Sequence, residues 1–309
     1  MILKDIVELK SEYYKRTGKK LNLIRPKTFN EKLQWLKLFY KDYRMVICSD
    51  KLLAKKYLKY HGWGMYLPKT ILVCDEIKML NEESLPNECI IKTTHGSGNV
   101  MKYDADNSDM NFNKIKRMFN IWINQPYWNC MKEWAYNVVK PRIFVEEYLQ
   151  DSKLVSLVDY KFMCFNGKCK LIFLVLNREK EEKMFVDFYD TNWNKLPFKR
   201  KYHSSKKVIQ KPQQFEKMIE IAETISKDFP FLRVDFYIVN NKLYIGELTF
   251  FPGSGWEVFE PEYYDNVYGD LLKLPNIMQC ISKYIQYIIF YRKIKQGEFH
   301  GLELWNLKE

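Results

Sequence analysis

At 309 residues, 47% hydrophobic and 16% aromatic, the chain is long enough to bury a substantial core and is expected to fold into two or three lobes, which excludes a disordered or low-complexity protein. Its net charge of +12 brings nucleic acid to mind as a partner, but only nine of the fifty basic residues are arginine, the lysines are spread along the whole chain, and no helix-turn-helix or RNP-like signature occurs, so nucleic acid is set aside. Seven cysteines form no C-x-x-C pair, four histidines are widely spaced, the N-terminus MILKDIVELK is too charged for a signal peptide, and no run approaches the ~18 apolar residues of a membrane span, so a zinc site and a spanning helix are excluded and reduced thiols and a cytoplasmic location are expected.

Residues 1–66 read as helical. Thr28 and Glu31 have capping-box spacing ahead of a helix carrying Leu33, Trp35, Leu36 and Phe39, and a further helix is expected to start at Ser49 or Asp50 and to stop at Gly62. From 67 to 143 the pattern is mixed, with strands near 69–73 and 88–92 and a helix over 113–124. The second of those strands runs through ECIIKTTHGSG, where Lys92 leads into a loop of Thr94, His95, Gly96, Ser97 and Gly98. Small residues let backbone N–H groups approach phosphate oxygens, and the lysine adds a point charge. The loop is neither a P-loop nor a dinucleotide fingerprint, which lacks its third glycine here, so a different nucleotide-binding architecture is required.

Residues 144–275 read as a larger mixed lobe, with a hairpin turning at Asn166-Gly167, a strand near 183–189 and a helix over 213–226. The lobe closes with RVDFYIVNNKLYIGELTFFPGSG, two alternating strands joined at Asn240-Asn241. Asp235 sits on the first strand, Glu247 on the second, and a Pro-Gly-Ser-Gly turn follows. Carboxylates on neighbouring strands can meet at one point, and among apolar neighbours their charge is costly. Mg²⁺, which takes hard oxygen ligands and keeps positions for waters and phosphates, would offset that cost. The tail, 276–309, puts Ile, Tyr and Phe on one helical face and follows with Arg292, Lys293 and Lys295. A terminal helix docked on the body is the leading expectation, and peripheral contact with the inner face of the membrane is the competing one.

Taken in order across roughly residues 25–265, these motifs resemble the ATP-grasp superfamily, and within it the TupA-like proteins of bacterial surface-polysaccharide loci. RPKTFNEKLQWL at 25–36 is similar to the entry signature of that group, and SDKLLAKKYL followed by LPKT is similar to its Asp-Lys helix and the strand after it. The resemblance implies an α+β ATP-grasp fold, with two lobes (67–143 and 144–275) clasping ATP, a helical region (1–66) before them and the helical tail after. It makes Lys51 and Lys92 the phosphate-contacting lysines and the loop through Thr94, His95, Gly96, Ser97 and Gly98 the cover over the phosphates. FVEEYL at 144–149 resembles the adenine hinge, with Glu146, Glu147 and Leu149, and DYKF brings Lys161 to the terminal phosphate. Arg233 matches the catalytic arginine, Asp235 and Glu247 the Mg²⁺ ligands, and Gly253 and Ser254 the substrate-binding turn. Thr249 stands where the superfamily usually has Asn, which alters the second metal's coordination.

The implied reaction phosphorylates a carboxylate with ATP and lets an amine displace the phosphate. Cations must offset the repulsion between two anions, a task for Mg²⁺, Lys51, Lys92 and Lys161, while Arg233 and the Gly253 N–H hold the oxyanion. His95 is a candidate base, with phosphate contact as its alternative, and Arg178 a candidate for an anionic acceptor, with a solvent-facing strand end as its alternative. The expected partners are a carboxylated sugar or glycan and an amino acid or other amine. The alternative class is a glycosyltransferase, because Asp104-Ala105-Asp106 has the D-x-D form; a noncatalytic scaffold would leave the phosphate and metal residues without a role.

Overall fold

The computed structural model describes residues 2–125, 132–152, 157–177 and 184–297. Helices α1 (Ile2–Thr17), α2 (Phe29–Phe39), α3 (Tyr43–Ser49) and α4 (Lys51–Tyr60) open the chain. The start of α2 is fixed by the capping box: the Glu31 N–H donates to Thr28 Oγ1 at 3.2 Å while Glu31 Oε2 accepts from the Thr28 N–H at 3.2 Å. Asp50 caps α4 by accepting from the N–H groups of Leu52 (3.0 Å) and Leu53 (2.9 Å), and Gly62 follows its end at φ +88°. Helix α3 was not expected; it is seven residues long and buries Met45 to Ser49, too short and too uniformly covered to show a period.

Two compact units form, one from Met1–Asp42 and Asp151–Tyr287, the other from Tyr43–Gln150 and Ile288–Glu309. In the second, strands β1 (Thr70–Cys74), β2 (Glu88–Thr93), β3 (Val100–Asp104) and β4 (Ile143–Glu147) make an antiparallel sheet in the order β1-β4-β2-β3. Helix α5 (Phe112–Asn124), capped by Asn111, packs Ile115 and Phe119, four residues apart on one face, among Cys89, Ile91, Ile143 and Val145. Strand β3 is the other addition: VMKYD is short and runs into a polar loop, and its pairing with β2 supplies what its own pattern lacks.

In the first unit, β5 (Asp159–Phe165), β6 (Lys168–Leu176), β7 (Phe185–Tyr189), β9 (Phe231–Val239) and β10 (Lys242–Thr249) form an antiparallel sheet in the order β10-β9-β5-β6-β7. A short strand β8 (Lys199–Arg200) pairs with β11 (Phe259–Glu260). Both expected hairpin turns are present, at Asn166-Gly167 (φ +48° and +79°) and Asn240-Asn241 (φ +47° and +64°), residues that tolerate the left-handed conformation. Helix α6 (Phe215–Ser226) covers one sheet face, where Phe162 meets Phe215 and Phe236 at ring distances of 5.8 and 5.2 Å. The alternation of strand side chains sends Lys161, Arg233 and Asp235 to the other face. Helices α7 (Tyr263–Leu271) and α8 (Ile277–Lys295) complete the described chain. The described cysteines, Cys48, Cys74, Cys89, Cys164, Cys169 and Cys280, are all reduced; Cys130 lies outside the described residues.

Candidate active site

A regular two-residue hairpin between β9 and β10 would set Gly246 opposite Asp235. Instead the ladder shifts by one residue at Gly246, so that Ile245 pairs with Phe236 and Glu247 with Asp235. Such bulges re-aim side chains, and glycine suits this one because a Cβ at 246 would lie 2.4 Å from the Tyr237 ring. On the other side of β9, Lys161 stands opposite Asp235. Opposed residues share a face, so Glu247, Asp235 and Lys161 form a row across three strands, with Thr249 and Arg233 opposed one step along.

Asp235, 1% exposed, accepts Nε and Nη2 of Arg233 at 2.6 and 2.7 Å and also binds the Lys161 ammonium. Burial alone would raise its pKa, but Arg233 and Lys161 outweigh burial and hold the carboxyl below its ordinary range. Burial works against the Arg233 charge as well; Asp235, then Glu247 and Asp159, reverse it and the guanidinium stays firmly protonated. Lys161 reaches Asp159 at 2.8 Å too, and Glu247, with a side chain 35% exposed, lies 3.6 Å from Arg233 Nη2. Two neighbouring cations, Arg233 and Lys161, therefore already offset the charge of Asp235 that the sequence reading gave to a metal. The set nevertheless fits Mg²⁺. Glu247 offers accessible carboxylate oxygen, the buried Thr249 Oγ1 has no hydrogen-bond partner among the described residues, and Asp235 adds a third hard donor in line. No group of three His, Cys, Asp or Glu gathers among the described residues, so waters and phosphate would have to complete the shell.

Just past β10, the 252–255 turn holds Gly253, Ser254 and Gly255 at φ +54°, +52° and +65°. What secures it leaves no motif in the sequence. Asn30, Gln34 and Lys37 project from one face of α2 at helical spacing. Gln34 Nε2 donates to the Ser254 and Gly255 carbonyls (2.9 and 3.0 Å), and buried Lys37 donates to the Ser254 carbonyl and hydroxyl (2.8 and 2.9 Å) while lying 4.5 Å from the Trp256 ring centre. Asn30 Nδ2 donates to the Glu257 carbonyl at 2.9 Å. Gly255 is required there, since a Cβ would lie 2.4 Å from Gln34 Nε2.

The other unit carries a second charged cluster. Glu146 on β4, 5% exposed, binds Lys55 of α4 and accepts Lys92 of β2 at 2.5 Å. Burial opposes its charge, and Lys92 and Lys55 together hold its pKa below the ordinary value. Lys55, absent from the sequence reading, also donates to the Pro68 carbonyl and Thr70 Oγ1 (2.7 and 2.9 Å), which locks α4 to the start of β1. Lys51, in the first turn of α4, donates through Nζ to the Gly96 carbonyl at 2.7 Å, and its N–H donates to the Thr94 carbonyl at 2.9 Å. Gly96 and Gly98 take φ +74° and +82°, and Ser97 and Gly98 are exposed at the loop tip. His95 is buried there; burial, then the nearby Lys51 charge, push its pKa below the usual imidazole value. Neither ring nitrogen makes a hydrogen bond of good geometry among the described residues, although backbone groups of Gln125 and Trp122 lie close enough to pull weakly the other way. Glu147 Oε1 accepts the Lys69 N–H at 2.7 Å, and Leu149 follows β4 half-buried, beside a cleft lined by Lys69, Ile71, Glu88, Glu147, Tyr148 and Gln150.

Each unit thus gathers its own share of the predicted residues: Lys161, Arg233, Asp235, Glu247, Thr249, Gly253 and Ser254 in one, Lys51, Lys92, Glu146 and the 94–98 loop in the other. Arg178 lies outside the described residues. Of the D-x-D triplet, Asp104 ends β3, sits 3.6 Å from Lys102 and accepts the Asp106 N–H at 3.2 Å, a local turn.

A family model described as TupA-like ATPgrasp matches residues 31–273. Among solved structures the chain is similar to a D-alanine–D-alanine ligase from Bacillus anthracis complexed with ATP, at 15% identity and TM-score 0.44, covering 86% of this chain and 75% of that one. It is also similar to the ATP-grasp ligase PsnB complexed with a phosphomimetic variant of a minimal precursor, Mg and ADP (13% identity, TM-score 0.43, 80% and 65% covered). The D-alanine–D-alanine ligase from Helicobacter pylori gives 14% identity, TM-score 0.43 and coverage of 81% and 67%. No curated protein matches the chain.

Proposed function

Because the chain belongs to the TupA-like ATP-grasp family, we propose that it is an ATP-dependent carboxylate–amine ligase, joining a sugar carboxylate of a surface polysaccharide or its precursor to an amino acid or other amine through an acyl phosphate. The observation that carries this reading is the row of Glu247, Asp235 and Lys161 with Arg233 and Thr249 beside it: acidic oxygens and fixed cations on one sheet face.

Phosphoryl transfer to a carboxylate has to overcome repulsion between two anions, so positioning and positive charge are what the protein supplies. Lys161 and Arg233 provide that charge from rigid strands, each held in place by Asp235. Bound at the oxygens of Asp235, Glu247 and Thr249, Mg²⁺ would neutralise and orient the phosphates. Lys51, Lys92 and the N–H groups of the 94–98 loop are the groups for the polyphosphate, and Glu147 and Leu149 those for adenine. The carboxylate oxygen attacks the terminal phosphorus and ADP leaves. The amine then attacks the acyl carbon, phosphate leaves with the former carboxylate oxygen, and the proton lost by the amine goes to a base; His95, neutral at pH 7, is the candidate. Arg233 and the Gly253 N–H stabilise the oxyanion, and the turn at Gly253 and Ser254, with Arg178, receives the substrate.

Carboxylate-¹⁸O-labelled uronic acids, incubated with the protein, MgATP and a panel of amines, test the reading. Amide product together with labelled inorganic phosphate is the expected result. Amide with unlabelled phosphate, or a glycosidic product from a nucleotide sugar, would overturn it.

A further inference from the structure

We infer that helix α8 is an interfacial helix that seats this protein on an anionic lipid bilayer. Its residues separate into two faces at the 3.6-residue period. One face meets the protein: Lys283 reaches Asp42 at 3.5 Å, Lys41 lies 5.7 Å from the Tyr287 ring centre, and fully buried Phe290 packs on Tyr43 at 5.3 Å. The other face is open along three turns, with Ile277, Met278, Ile281, Ile285 and Ile289 between 45% and 74% exposed. A row of large aliphatic side chains left in water is unusual for a surface helix.

Charge identifies the occupant. The helix sequence IMQCISKYIQYIIFYRKIK contains no acidic residue, and its last turn holds Arg292, Lys293 and Lys295. Counting by 3.6, Arg292 and Lys295 continue the very stripe formed by Ile277, Ile281 and Ile285, and both are exposed without an acidic partner among the described residues. Apolar side chains followed on the same face by arginine and lysine match acyl chains beneath phosphate headgroups. The same helix of a second copy would bring no acidic residue to pair with Arg292 and Lys295. Spanning is ruled out for the helix itself, since no helix among the described residues is long and apolar enough to cross a membrane. The helix therefore lies in the plane of the interface.

Co-sedimentation of the full-length chain with sucrose-loaded vesicles tests this. The protein should pellet with phosphatidylcholine–phosphatidylglycerol vesicles and stay in the supernatant with phosphatidylcholine alone. Ile281→Asp with Ile285→Asp should abolish pelleting, and Arg292→Glu with Lys295→Glu should weaken partitioning by at least roughly thirty-fold. These positions are exposed, so both variants should keep wild-type circular dichroism and ATP binding. Absence of binding to anionic vesicles, or binding that both variants retain, would overturn the inference. So would self-association that the isoleucine variant abolishes, since the face would then be an interface between copies.

Discussion

At the scale of single residues, the candidate site is organised by carboxylates set beside fixed cations. Asp235 is buried and bound by Arg233 and Lys161, whereas the Glu247 side chain is 35% exposed and its carboxylate lies 3.6 Å from Arg233 Nη2. Glu247 is thus the more accessible of the two carboxylates, and Glu247→Gln, which keeps its shape and removes its charge, should lower turnover about 10²-fold while changing ATP affinity far less. Steady-state kinetics beside calorimetry check this; equal losses in both would show a ground-state role instead. His95 yields a pH prediction. Its folded pKa lies below the ordinary ~6.5, so its contribution to stability is complete above that value and is lost as pH falls toward the folded pKa. Between about pH 7.5 and about pH 5.5 the wild type should lose more urea stability than His95→Gln, and parallel losses would refute the assignment.

At the scale of elements, the β9–β10 hairpin shows where reading a pattern stops. Alternation and Asn240-Asn241 locate both strands and the turn, but a regular ladder would set Gly246, not Glu247, opposite Asp235. The bulge is legible only through packing, because nothing in LYIGEL states which residue goes unpaired. Gly246→Ala would place a methyl 2.4 Å from the Tyr237 ring, so the ring or the bulge must move. Turnover should fall severalfold, and Tyr237→Ala in the same chain should restore most of it. Normal turnover in Gly246→Ala alone would mean that the ring yields freely and the bulge is not held by this contact. Helix α2 teaches the same lesson: its apolar positions and capping box are plain in the sequence, whereas nothing in the pattern marks Asn30, Gln34 and Lys37 as buried against the 252–257 turn. Polar residues at helical spacing carry no mark that says whether their partner is water or a backbone carbonyl.

At the scale of the whole molecule, each unit has a buried carboxylate held ionised by two cations, Glu146 in one and Asp235 in the other. Both have folded pKa values below their ordinary ones, so the stability they contribute is present above about pH 4 and is lost as pH falls through the folded values. Asp50 and Asp265, raised chiefly by burial, act in the opposite sense, which makes variants more informative than the wild-type acid limb alone. Glu146→Gln and Asp235→Asn should each be less stable than wild type at neutral pH, by about 3 kcal/mol for a buried pair broken on one side. Each should also lose less stability than wild type between about pH 5 and about pH 3. Urea unfolding across that range checks both statements, and an unchanged acid slope would show that the pair does not govern acid stability.

The sequence by itself determined the class of fold, the family, both hairpin turns and the α2 cap, because these rest on local chemistry: period, turn residues and motif order. Tertiary structure decided which charges neutralise one another. Lys55 enters through its reach across to Glu146, Asp159 and Lys161 converge on one strand beside Asp235, and Lys37 is buried under the turn at Ser254. Ion pairs between residues tens or hundreds of positions apart leave no periodic trace, since their energy depends on separation and burial in space, and neither quantity is written along the chain.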